Sequence, residues 1–352
     1  MWILALVLAA DPGMWREPGK NHPFLTPSEI VKRLDASERT YNIHEEKEPV
    51  QQWFVQNAQL TWAAGTAGGL LIPTVDHGQV TEWNAPQGSA DLMDKAETLF
   101  HHKDYKAAEQ AYAAVLTKYP SHYLAMLAWG ECAEFTGRRE VALERYEKAT
   151  TLNPYDHLSW YYRGNVLLDL GRKPEATRMY VHALALRPRH SALLEGIENR
   201  EAKLGLRVRR NLFLPAARIE KNGDEVLMSL VAQPQWVAWA SCKALWLGEY
   251  THREEMTGHG EHVFTNTEEE ECLVNLAASY ETVTKEKPGY AKDPTSQLVF
   301  DVAQAHLLTE LAMYELASRV DPQVTLRLPE SYLPKIEELI RKFVLVPVKS
   351  AP

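Results

Sequence analysis

The sequence predicts a mostly α-helical protein, built as an array of helical hairpins that is joined to a helical C-terminal domain and a small β-hairpin. Three observations predict this fold class. Residues 89–190 carry an internal repeat, in which Pro120, Pro154 and Pro188 stand at equal intervals, and a period of this length is the signature of stacked helical pairs. Apolar residues recur at helical spacing in several segments after residue 233. Between these regions, Asn222-Gly223 separates two strand-like segments, as in a tight hairpin.

The composition argues against some classes of function. The chain has 352 residues, of which 45% are hydrophobic and 24% are charged, as is ordinary for a folded domain. The formal net charge of −9 argues against a nucleic-acid-binding protein, because such proteins present an excess of Lys and Arg. The cysteines, Cys132, Cys242 and Cys272, are widely spaced and lack metal-ligand spacing, so we expect packed thiols rather than disulfides.

The chain starts with an unbroken apolar run, Met1 to Ala10, which ends in small residues and is followed by Asp11-Pro12. This run resembles the apolar core and cleavage site of a secretory signal peptide, so residues 1–10 are predicted to be a signal peptide of an exported, periplasmic protein. The alternative is a buried N-terminal strand of a cytoplasmic protein. The run is too short to span a bilayer.

Residues 11–88 are predicted to form an N-terminal region with one short helix and a linker. In that helix Thr26 is the expected N-cap, Pro27 the first residue and Glu29 the partner that completes a capping box. Residues 62–90 are rich in Gly, Pro and polar residues and have no helical period. We therefore expect a loop or an extended linker before the first repeat.

The repeat is visible in three segments that end as YKAAEQAYAAVLTKYP, REVALERYEKATTLNP and KPEATRMYVHALALRP. An Ala and a Tyr precede each final proline in the same register. An earlier position holds a small residue in each unit, namely Ala96, Gly130 or Gly164. A small residue on the first helix and an Ala on the second allow two antiparallel helices to approach closely, an aromatic ring fills the gap between units, and the proline ends the second helix.

This pattern, with its period of about 34 residues, resembles the tetratricopeptide repeat (TPR) family. The units are at 89–122, 123–156 and 157–190. The resemblance implies a right-handed α-solenoid. The segment that follows is predicted to be a capping helix with Ser191 as its N-cap, so the array and its cap occupy 89–205. The resemblance also implies that a protein or peptide partner binds on the concave side, which the first helix of each unit lines.

At the positions that line the groove in that family, this sequence has acidic and aromatic residues. They are Glu97 and Phe100 in the first unit, Leu127, Glu131, Glu134 and Phe135 in the second, and Tyr161, Asn165 and Asp169 in the third. Such a groove suits a basic or mixed basic–apolar segment of a partner protein. In the alternative interpretation, the same residues pack against the flanking regions and bind nothing.

After the array, residues 206–233 are predicted to form a β-hairpin connector and residues 234–352 a helical C-terminal domain. A helix that begins at Pro234 carries Trp236, Trp239 and Trp246 on one stripe, which is typical of a core face. Another helix is predicted to run unbroken from residue 294 to residue 319. The run TEEEEC, residues 267–272, is interpreted as a helix start, with Thr267 as the N-cap and the four carboxylates at the positive end of the helix dipole.

Nucleophile motifs are absent from the sequence, but one metal site is conceivable in the C-terminal domain. Its candidate ligands are Glu249 and His252 with ExxH spacing, Glu271 on the following helix, and His306 and Glu310, which lie four residues apart. A metal-dependent enzyme or a metal carrier is therefore an alternative to a non-catalytic interaction protein. A structural subunit that assembles through its Trp-rich C-terminal face is another. We expect no cofactor, no nucleic-acid partner and no transmembrane segment, and the oligomeric state stays open.

Overall fold

A computed structural model describes residues 24–47, 72–76, 79–258, 260, 262 and 265–348. These residues divide into two compact units. The first unit is formed by the described parts of 1–67 and 211–321, and the second by those of 68–210 and 322–352. The predicted signal peptide at 1–10 lies outside the described residues. The last segment of the chain groups with the repeats, whereas the sequence placed all of 234–352 in one C-terminal domain.

The described chain begins with one short helix and three short strands. They are α1 (Pro27–Asp35), β1 (Thr40–Glu45), β2 (Pro73–Asp76) and β3 (Gln79–Glu82). The start of α1 has the predicted capping box: the Glu29 amide donates to Thr26 Oγ1 at 3.2 Å, and the Thr26 amide donates to Glu29 Oε2 at 2.7 Å.

Strands β2 and β3 form an antiparallel hairpin within a region where the sequence predicted a loop or linker. Val75 pairs with Val80 across the hairpin, and the Asn153 side chain of the second repeat unit donates to the Pro73 carbonyl oxygen at 3.0 Å. Four residues are the lower limit at which a period of two can be read from a sequence, so the signal for these strands is weak. The Asn153 hydrogen bond ties the hairpin to the second repeat unit.

The predicted repeat units are confirmed as three antiparallel helix pairs. Their helices are α2 (Ala90–His101), α3 (Tyr105–Lys118), α4 (Tyr123–Phe135), α5 (Arg139–Leu152), α6 (His157–Asp169) and α7 (Lys173–Leu186). Each second helix ends two residues before the repeated proline. This is expected, because the residue before a proline is pushed out of the helical conformation.

Within each pair, the two helices meet where a small residue faces a tyrosine. A Cβ atom added at Gly130 would lie 2.5 Å from the Tyr146 ring, and one added at Gly164 would lie 2.7 Å from the Tyr180 ring. Both distances are well below van der Waals contact, so only glycine fits at these two positions without a shift of the ring. In the first repeat, Ala96 stands at the position that glycine occupies in the other two, and it is buried in one core cluster with Tyr112.

The turn inside each pair also recurs in the register of the repeat. The second residue after the first helix has a positive φ at Lys103 (61°), Gly137 (76°) and Gly171 (79°). Around Gly137, the Arg138 amide donates to the Ala133 carbonyl at 2.9 Å and the Gly137 amide donates to that of Glu134 at 2.9 Å. This is the Schellman end, which satisfies two carbonyl groups of the helix and favours glycine.

The predicted capping helix is split into α8 (Ser191–Glu198) and α9 (Glu201–Leu204). Its N-cap is His190, not Ser191 as predicted: the Leu193 amide donates to His190 Nδ1 at 3.4 Å. His190 occupies the same register position as the N-caps His122 and Asp156. At the other end Gly205 has a φ of 80°, in register with Gly171. The two short helices therefore take the place of the first helix of a fourth unit.

Next along the chain, after α9, come β4 (Leu206–Val208), β5 (Ala217–Asn222), β6 (Glu225–Leu230), α10 (Pro234–Gly248), α11 (Tyr250–Thr257) and α12 (Asn266–Glu286). The predicted hairpin around Asn222-Gly223 is present as β5–β6. Strand β1 adds to it in parallel, which gives the order β1-β6-β5. The predicted tryptophan stripe of α10 is buried, with Trp236 and Trp246 each 1% exposed and Trp239 2% exposed.

The expectation of three packed thiols is wrong for two of the cysteines. Cys242 of α10 and Cys272 of α12 form a disulfide with their Cα atoms 5.4 Å apart, while Cys132 is a buried free thiol. Spacing along the chain does not reveal this pair, because it is the packing of α10 against α12 that brings the two sulfurs together. A disulfide over this sequence separation stabilises a fold by about 3–4 kcal/mol.

The helix predicted from residue 294 to residue 319 is also wrong, because it is interrupted. The segments are α13 (Pro294–Gln304), α14 (Leu308–Leu311), a π-helix (Ala312–Ala317) and α15 (Ser318–Val320). At the break, His306 has a φ of 56° and the Leu307 amide donates to the Val302 carbonyl at 3.1 Å. This is again a Schellman end, but a histidine occupies the position where a glycine would have signalled it.

The second unit is completed by the end of the chain. Its elements are two 3₁₀ turns (Val324–Arg327 and Glu330–Tyr332), α16 (Leu333–Leu339), a π-helix (Ile340–Val344) and β7 (Leu345–Pro347). β7 pairs with β4, and α16 packs against α7, where His182 Nδ1 and Glu337 Oε1 are 2.7 Å apart. Among the described residues, no helix is both long enough and apolar enough to cross a membrane.

The Gly164–Tyr180 contact makes a testable prediction about stability. Substitution Gly164→Ala forces a methyl group against the buried Tyr180 ring, and overpacking of this kind costs about 1–3 kcal/mol. We expect a lower free energy of unfolding in a urea titration. Arg178→Ala is the control, because Arg178 is exposed on α7 and should change stability by less than about 0.5 kcal/mol. Equal effects of the two substitutions would contradict the proposed role of this contact.

Candidate functional site

The candidate site is the row of first helices, α2, α4 and α6, on which the sequence placed nine partner-binding residues. The structure sorts these residues by exposure. Glu97, Phe135 and Asp169 are exposed, Phe100, Glu131, Glu134 and Tyr161 are half-buried, and Leu127 and Asn165 are buried. Leu127 packs in a core cluster with Val166, and Asn165 Oδ1 accepts a hydrogen bond of 2.9 Å from Tyr180 Oη. These two therefore support the array from inside.

The acidic part of the site is formed by α2 and α4. Burial raises the pKa of the Tyr112 hydroxyl, and the charges of Glu97, Cys132 and Glu131 add to this effect, so both carboxylates lie close enough to Tyr112 to influence it. Burial and the neighbouring charge of Glu134 raise the pKa of Glu131 to about 7. Among the described residues, neither Glu97 nor Glu131 has a hydrogen-bonded or ion-paired partner. The charges of these two side chains are thus not neutralised within this part of the chain.

Glu134 differs from Glu131 because it has a structural partner. Its Oε2 atom accepts a hydrogen bond of 2.6 Å from the Tyr146 hydroxyl. Burial raises the pKa of Glu134, and the charge of Asp169 adds to this effect, while the Tyr146 hydrogen bond and Arg200 oppose it. Glu134 therefore links the surface to the same tyrosine that packs against Gly130.

The aromatic part of the site is a cluster of three rings. Phe100 contacts Phe135 edge to face, with ring centroids 5.7 Å apart, and Tyr105 stacks on Phe135 at 5.1 Å. Phe135 is 60% exposed, which is unusual for a large apolar side chain in such a cluster. Tyr105 was not among the residues predicted from the sequence, because it belongs to a second helix and only the packing of α3 against α4 brings it here.

At the third repeat, helices α8 and α9, which together form the capping segment (residues 191–204), contact two of the residues that were predicted to bind a partner. Gly196 of α8 lies so close to Tyr161 that an added Cβ would be 2.0 Å from the phenolic oxygen, and Arg200 donates to that oxygen at 3.4 Å. Lys203 of α9 donates to Asp169 Oδ1 at 2.5 Å. The sequence pattern did not identify Arg200 and Lys203 as neighbours of the site. A glycine at 205, in the register of the repeat, was the signal that could have placed them there.

A smaller set than the one predicted remains once the two buried residues and the two residues engaged by the capping segment are set aside. We call it the acidic–aromatic surface and define it as Glu97, Phe100, Glu131, Glu134 and Phe135. On α4, Glu131 and Phe135 are four residues apart, and on α2, Glu97 and Phe100 are three apart, so each acid shares a helix face with an aromatic ring. The two pairs lie on the first helices of adjacent repeats, so this surface combines carboxylate groups with the apolar rings of Phe100 and Phe135.

The five candidate metal ligands do not converge. His252 Nε2 lies 3.2 Å from Glu271 Oε2, but Glu249 accepts hydrogen bonds from Tyr41 at 2.5 Å and Ser37 at 2.7 Å. His306 is exposed at the helix break, so it does not share a helical face with Glu310 as predicted. Among the residues that the structure describes, no three His, Cys, Asp or Glu side chains are grouped so as to hold a metal ion.

Glu271 has a different role from the one considered. It is fully buried, and its carboxylate accepts hydrogen bonds of 2.7 Å from the Leu25 amide and 2.7 Å from Trp246 Nε1. Asn275, one turn later, donates to the Leu25 carbonyl oxygen at 3.1 Å. These two side chains of α12 hold both backbone groups of Leu25, so they fix the entry to α1.

The interpretation of the glutamate run as a charged helix start is wrong in its details. The N-cap of α12 is Thr265, whose Oγ1 accepts from the Glu268 amide at 3.2 Å, so the helix begins before Thr267. All four carboxylates, from Glu268 to Glu271, are buried. Lys243 of α10 pairs with Glu268, which also faces His262 at 3.1 Å, and with Glu269 at 2.8 Å. Specific partners satisfy these acids, not the helix dipole alone.

The array is a stack of helical hairpins with a capping segment, and this geometry defines its class. Residues 127–190 match the family described as Tetratricopeptide repeat. Together with the confirmed helix pairs, this shows that residues 89–190 are three tetratricopeptide repeats. No curated protein matches the chain by sequence.

Several solved structures are similar to parts of the chain. The first TPR of Spaghetti (RPAP3), bound to the HSP90 peptide SRMEEVD, is 19% identical, with a TM-score of 0.32; the match covers 34% of this chain and 94% of that one. The Yersinia enterocolitica type III secretion chaperone SycD, in complex with a peptide of the translocator YopD, is 17% identical, with a TM-score of 0.31 and coverage of 34% and 92%. MamA is 13% identical, with a TM-score of 0.31 and coverage of 65% and 93%.

The raised pKa of Glu131 makes a prediction about stability and pH. A carboxyl whose pKa is about 7 in the folded protein, against an ordinary 4.5, is neutral at low pH and must be ionised at a cost above pH 7. The penalty is absent below about pH 4.5 and complete above about pH 7.

We therefore expect Glu131→Gln to raise the thermal midpoint by roughly 2–4 °C at pH 8 and by little at pH 5, as followed by circular dichroism. Glu140→Gln is the control, because Glu140 is exposed on α5 and should have the same small effect at both pH values. A gain that does not depend on pH would contradict the assignment.

Proposed function

We propose that the protein is a non-catalytic TPR protein whose acidic–aromatic surface binds a basic or mixed basic–apolar segment of a partner protein. The repeat family supports a role in protein–protein interaction. The observation that carries the finer proposal is the pairing of two carboxylates, Glu97 and Glu131, which have no partner within the described chain, with the exposed ring of Phe135.

The charge of the partner follows from the electrostatics of Glu131. A carboxyl that is half-buried beside other acids is poorly stabilised in its ionised form, which is why its pKa is raised. A Lys or Arg from a partner would supply the missing counter-charge through a charge-assisted hydrogen bond. Since a like charge would add to the existing repulsion, the same surface selects against acidic segments.

The apolar part of the partner follows from the ring cluster. Phe135 exposes most of its surface while Tyr105 and Phe100 hold it in place, so its outer face is preorganised for contact. Aromatic residues that are rigid and exposed are typical anchors of protein interfaces. A segment with an apolar or aromatic residue close to a cation would use both parts of the surface.

The other functions considered for this chain have less support. Among the described residues of the first compact unit, the candidate metal ligands do not form a cluster that could hold an ion, so their geometry does not favour a metal-dependent enzyme or carrier. The tryptophans of α10 are buried in the first unit, so they do not form the exposed assembly face that the structural-subunit hypothesis required.

The partner prediction is tested by charge reversal on the surface. The double variant Glu97→Lys/Glu131→Lys should lose at least tenfold in affinity for captured partners, because two attractions become repulsions. Pull-down from the native source, followed by mass spectrometry and titration with the captured segment, measures the effect.

The matched control is Glu140→Lys/Glu144→Lys, which changes the net charge equally on the exposed side of α5 and should leave capture unchanged. Equal loss with both double variants would show a general charge effect. Unchanged capture by the first variant would overturn the proposed surface.

We also propose that the protein is exported, in agreement with the apolar run at 1–10. The supporting observation is the disulfide between Cys242 and Cys272, since such bonds persist in oxidising compartments and are rare in the cytosol. Both cysteines are completely buried, so once formed the bond is shielded from reductants.

Export predicts the thiol count of the protein isolated from its native source. Denaturation and alkylation without reductant should label one cysteine, Cys132, and the same treatment after reduction should label all three, as counted by mass spectrometry. The mature N-terminus is expected at residue 11, read from the intact mass. Three reactive thiols without reductant, in protein that retains residues 1–10, would contradict export.

A further inference from the structure

The capping segment begins at a histidine that serves as a helix cap. His190 Nδ1 accepts from the Leu193 amide at 3.4 Å, and at the same register His122 Nδ1 accepts from the Ala125 amide at 3.2 Å. Asp156 performs this role for α6, accepting from the Leu158 and Ser159 amides. An imidazole can accept only while it is neutral, because both nitrogens of a protonated histidine are donors. A cap made by histidine is therefore lost on protonation, unlike a cap made by aspartate.

A second histidine lies against this cap. The rings of His157 and His190 are 4.9 Å apart in an edge-to-face contact, and His157 is only 8% exposed. Its Nε2 atom is buried and has no hydrogen-bond partner among the described residues. Arg187, at the end of α7, is close enough to disfavour a positive charge on either ring.

Asp156, the acid beside His157, does not offset the cost of a positive charge on the two histidine rings. Asp156 Oδ1 lies 3.7 Å from His157 Nδ1, but the Asp156 carboxylate already accepts three hydrogen bonds, from the Leu158 amide and from the amide and hydroxyl of Ser159. Burial, with His190 and Arg187, lowers the pKa of His157 to about 3. Burial and Arg187 also lower the pKa of His190. Both rings are thus neutral in the closed arrangement.

The capping segment covers residues that the family resemblance assigns to partner binding. Gly196 packs on Tyr161, Arg200 donates to its hydroxyl, and Lys203 pairs with Asp169. Three apolar side chains of α8, Leu193, Leu194 and Ile197, are buried, and α8 packs against α7 of the third repeat. At only eight and four residues, its helices are too short to persist without these contacts.

We propose that α8–α9 is an acid-released cover over the first helix of the third repeat, and that His157 and His190 form the pair whose protonation loosens it. A proton on His190 removes the cap, places a cation at the positive end of the α8 dipole and sets it against His157 and Arg187. Opening relieves all three effects, uncovers Tyr161 and frees the Asp169 carboxylate from Lys203, which would extend the acidic–aromatic surface by one repeat.

The direction of the pH effect follows from the lowered pKa values. The open state has ordinary histidines with a pKa of about 6.5 and therefore binds protons that the closed state excludes. Opening is disfavoured above about pH 6.5 and becomes more favourable as the pH falls below it. Between pH 7.5 and 5.0, His157, whose pKa is about 3 in the closed state, contributes about 30-fold to the opening equilibrium, and His190 adds to this in the same direction.

Hydrogen exchange with mass spectrometry tests the proposal on the full chain without any partner, so its failure is independent of the proposed function. Peptides that cover 191–204 are followed at pH 7.5, 6.0 and 5.0, with rates corrected for intrinsic exchange. We expect the opening equilibrium of this segment to rise by at least about 10-fold, while peptides that cover 105–118 change by less than about threefold.

Two variants make the test specific. His157→Gln/His190→Asp keeps an acceptor at the cap, as Asp156 does for α6, and should reduce the change between pH 7.5 and 5.0 to less than about threefold. His122→Asn alters the equivalent cap of α4 and should leave the large change at 191–204 intact. No rise in the unmodified protein, the same rise in the double variant, or an equal rise at 105–118 would each overturn the proposal.

Discussion

The array depends on the close approach of two helices at one point in each repeat. At Gly130 and Gly164 the backbone of the first helix lies against a tyrosine ring of the second, at a distance that leaves no room for a side chain. Everything else in the repeat is set relative to this contact. The ring determines the separation of the helices, and the separation determines which side chains of the next unit fit against them. In the second unit the hydroxyl of the same tyrosine reaches Glu134, so the contact also positions a residue of the acidic–aromatic surface.

The first compact unit, which contains α10 and α12, depends on a different constraint. Charged side chains are buried where these two helices pack together. The disulfide crosses this joint, and so do the contacts of Lys243 with Glu268 and Glu269 and of Trp246 with Glu271. Carboxylates in such surroundings are tolerable only with partners, since an unpaired buried charge costs several kcal/mol. The pKa of Glu268 is lowered because Lys243 and His262 outweigh its burial, whereas burial outweighs Lys243 and raises that of Glu269.

The two ends of the row of first helices differ in how far their side chains are engaged by the rest of the described chain. On α2 and α4, Glu97 and Glu131 have no partner within the described chain and Phe135 is exposed, as is typical of a surface that meets another molecule. On α6 the equivalent residues are engaged by Gly196 and by the cations of the capping segment. The third repeat is thus complete as a structural unit, while the capping segment covers its Tyr161 and pairs with its Asp169. Histidines at the cap link this covering to protonation.

The sequence by itself determined the repeat. A constant period with small residue, alanine, tyrosine and proline in fixed register specified six helices, because each position reports a local steric requirement that recurs three times. Local signals also sufficed for the capping box of α1 and for the hairpin at Asn222-Gly223. The repeat register also placed Glu97, Phe100, Glu131 and Phe135 on the first helices, because a helix position implies a face; their role in binding stays a prediction. Only the tertiary structure decided the rest. The Cys242–Cys272 pair and the burial of the four glutamates depend on which helices pack together, and the break at His306 has no glycine to signal it. Tyr105 reaches the site from a second helix, while Arg200 and Lys203 reach it from a segment whose one sequence signal is Gly205. A linear pattern records what a residue requires of its neighbours along the chain, and these features depend on neighbours brought together only by folding.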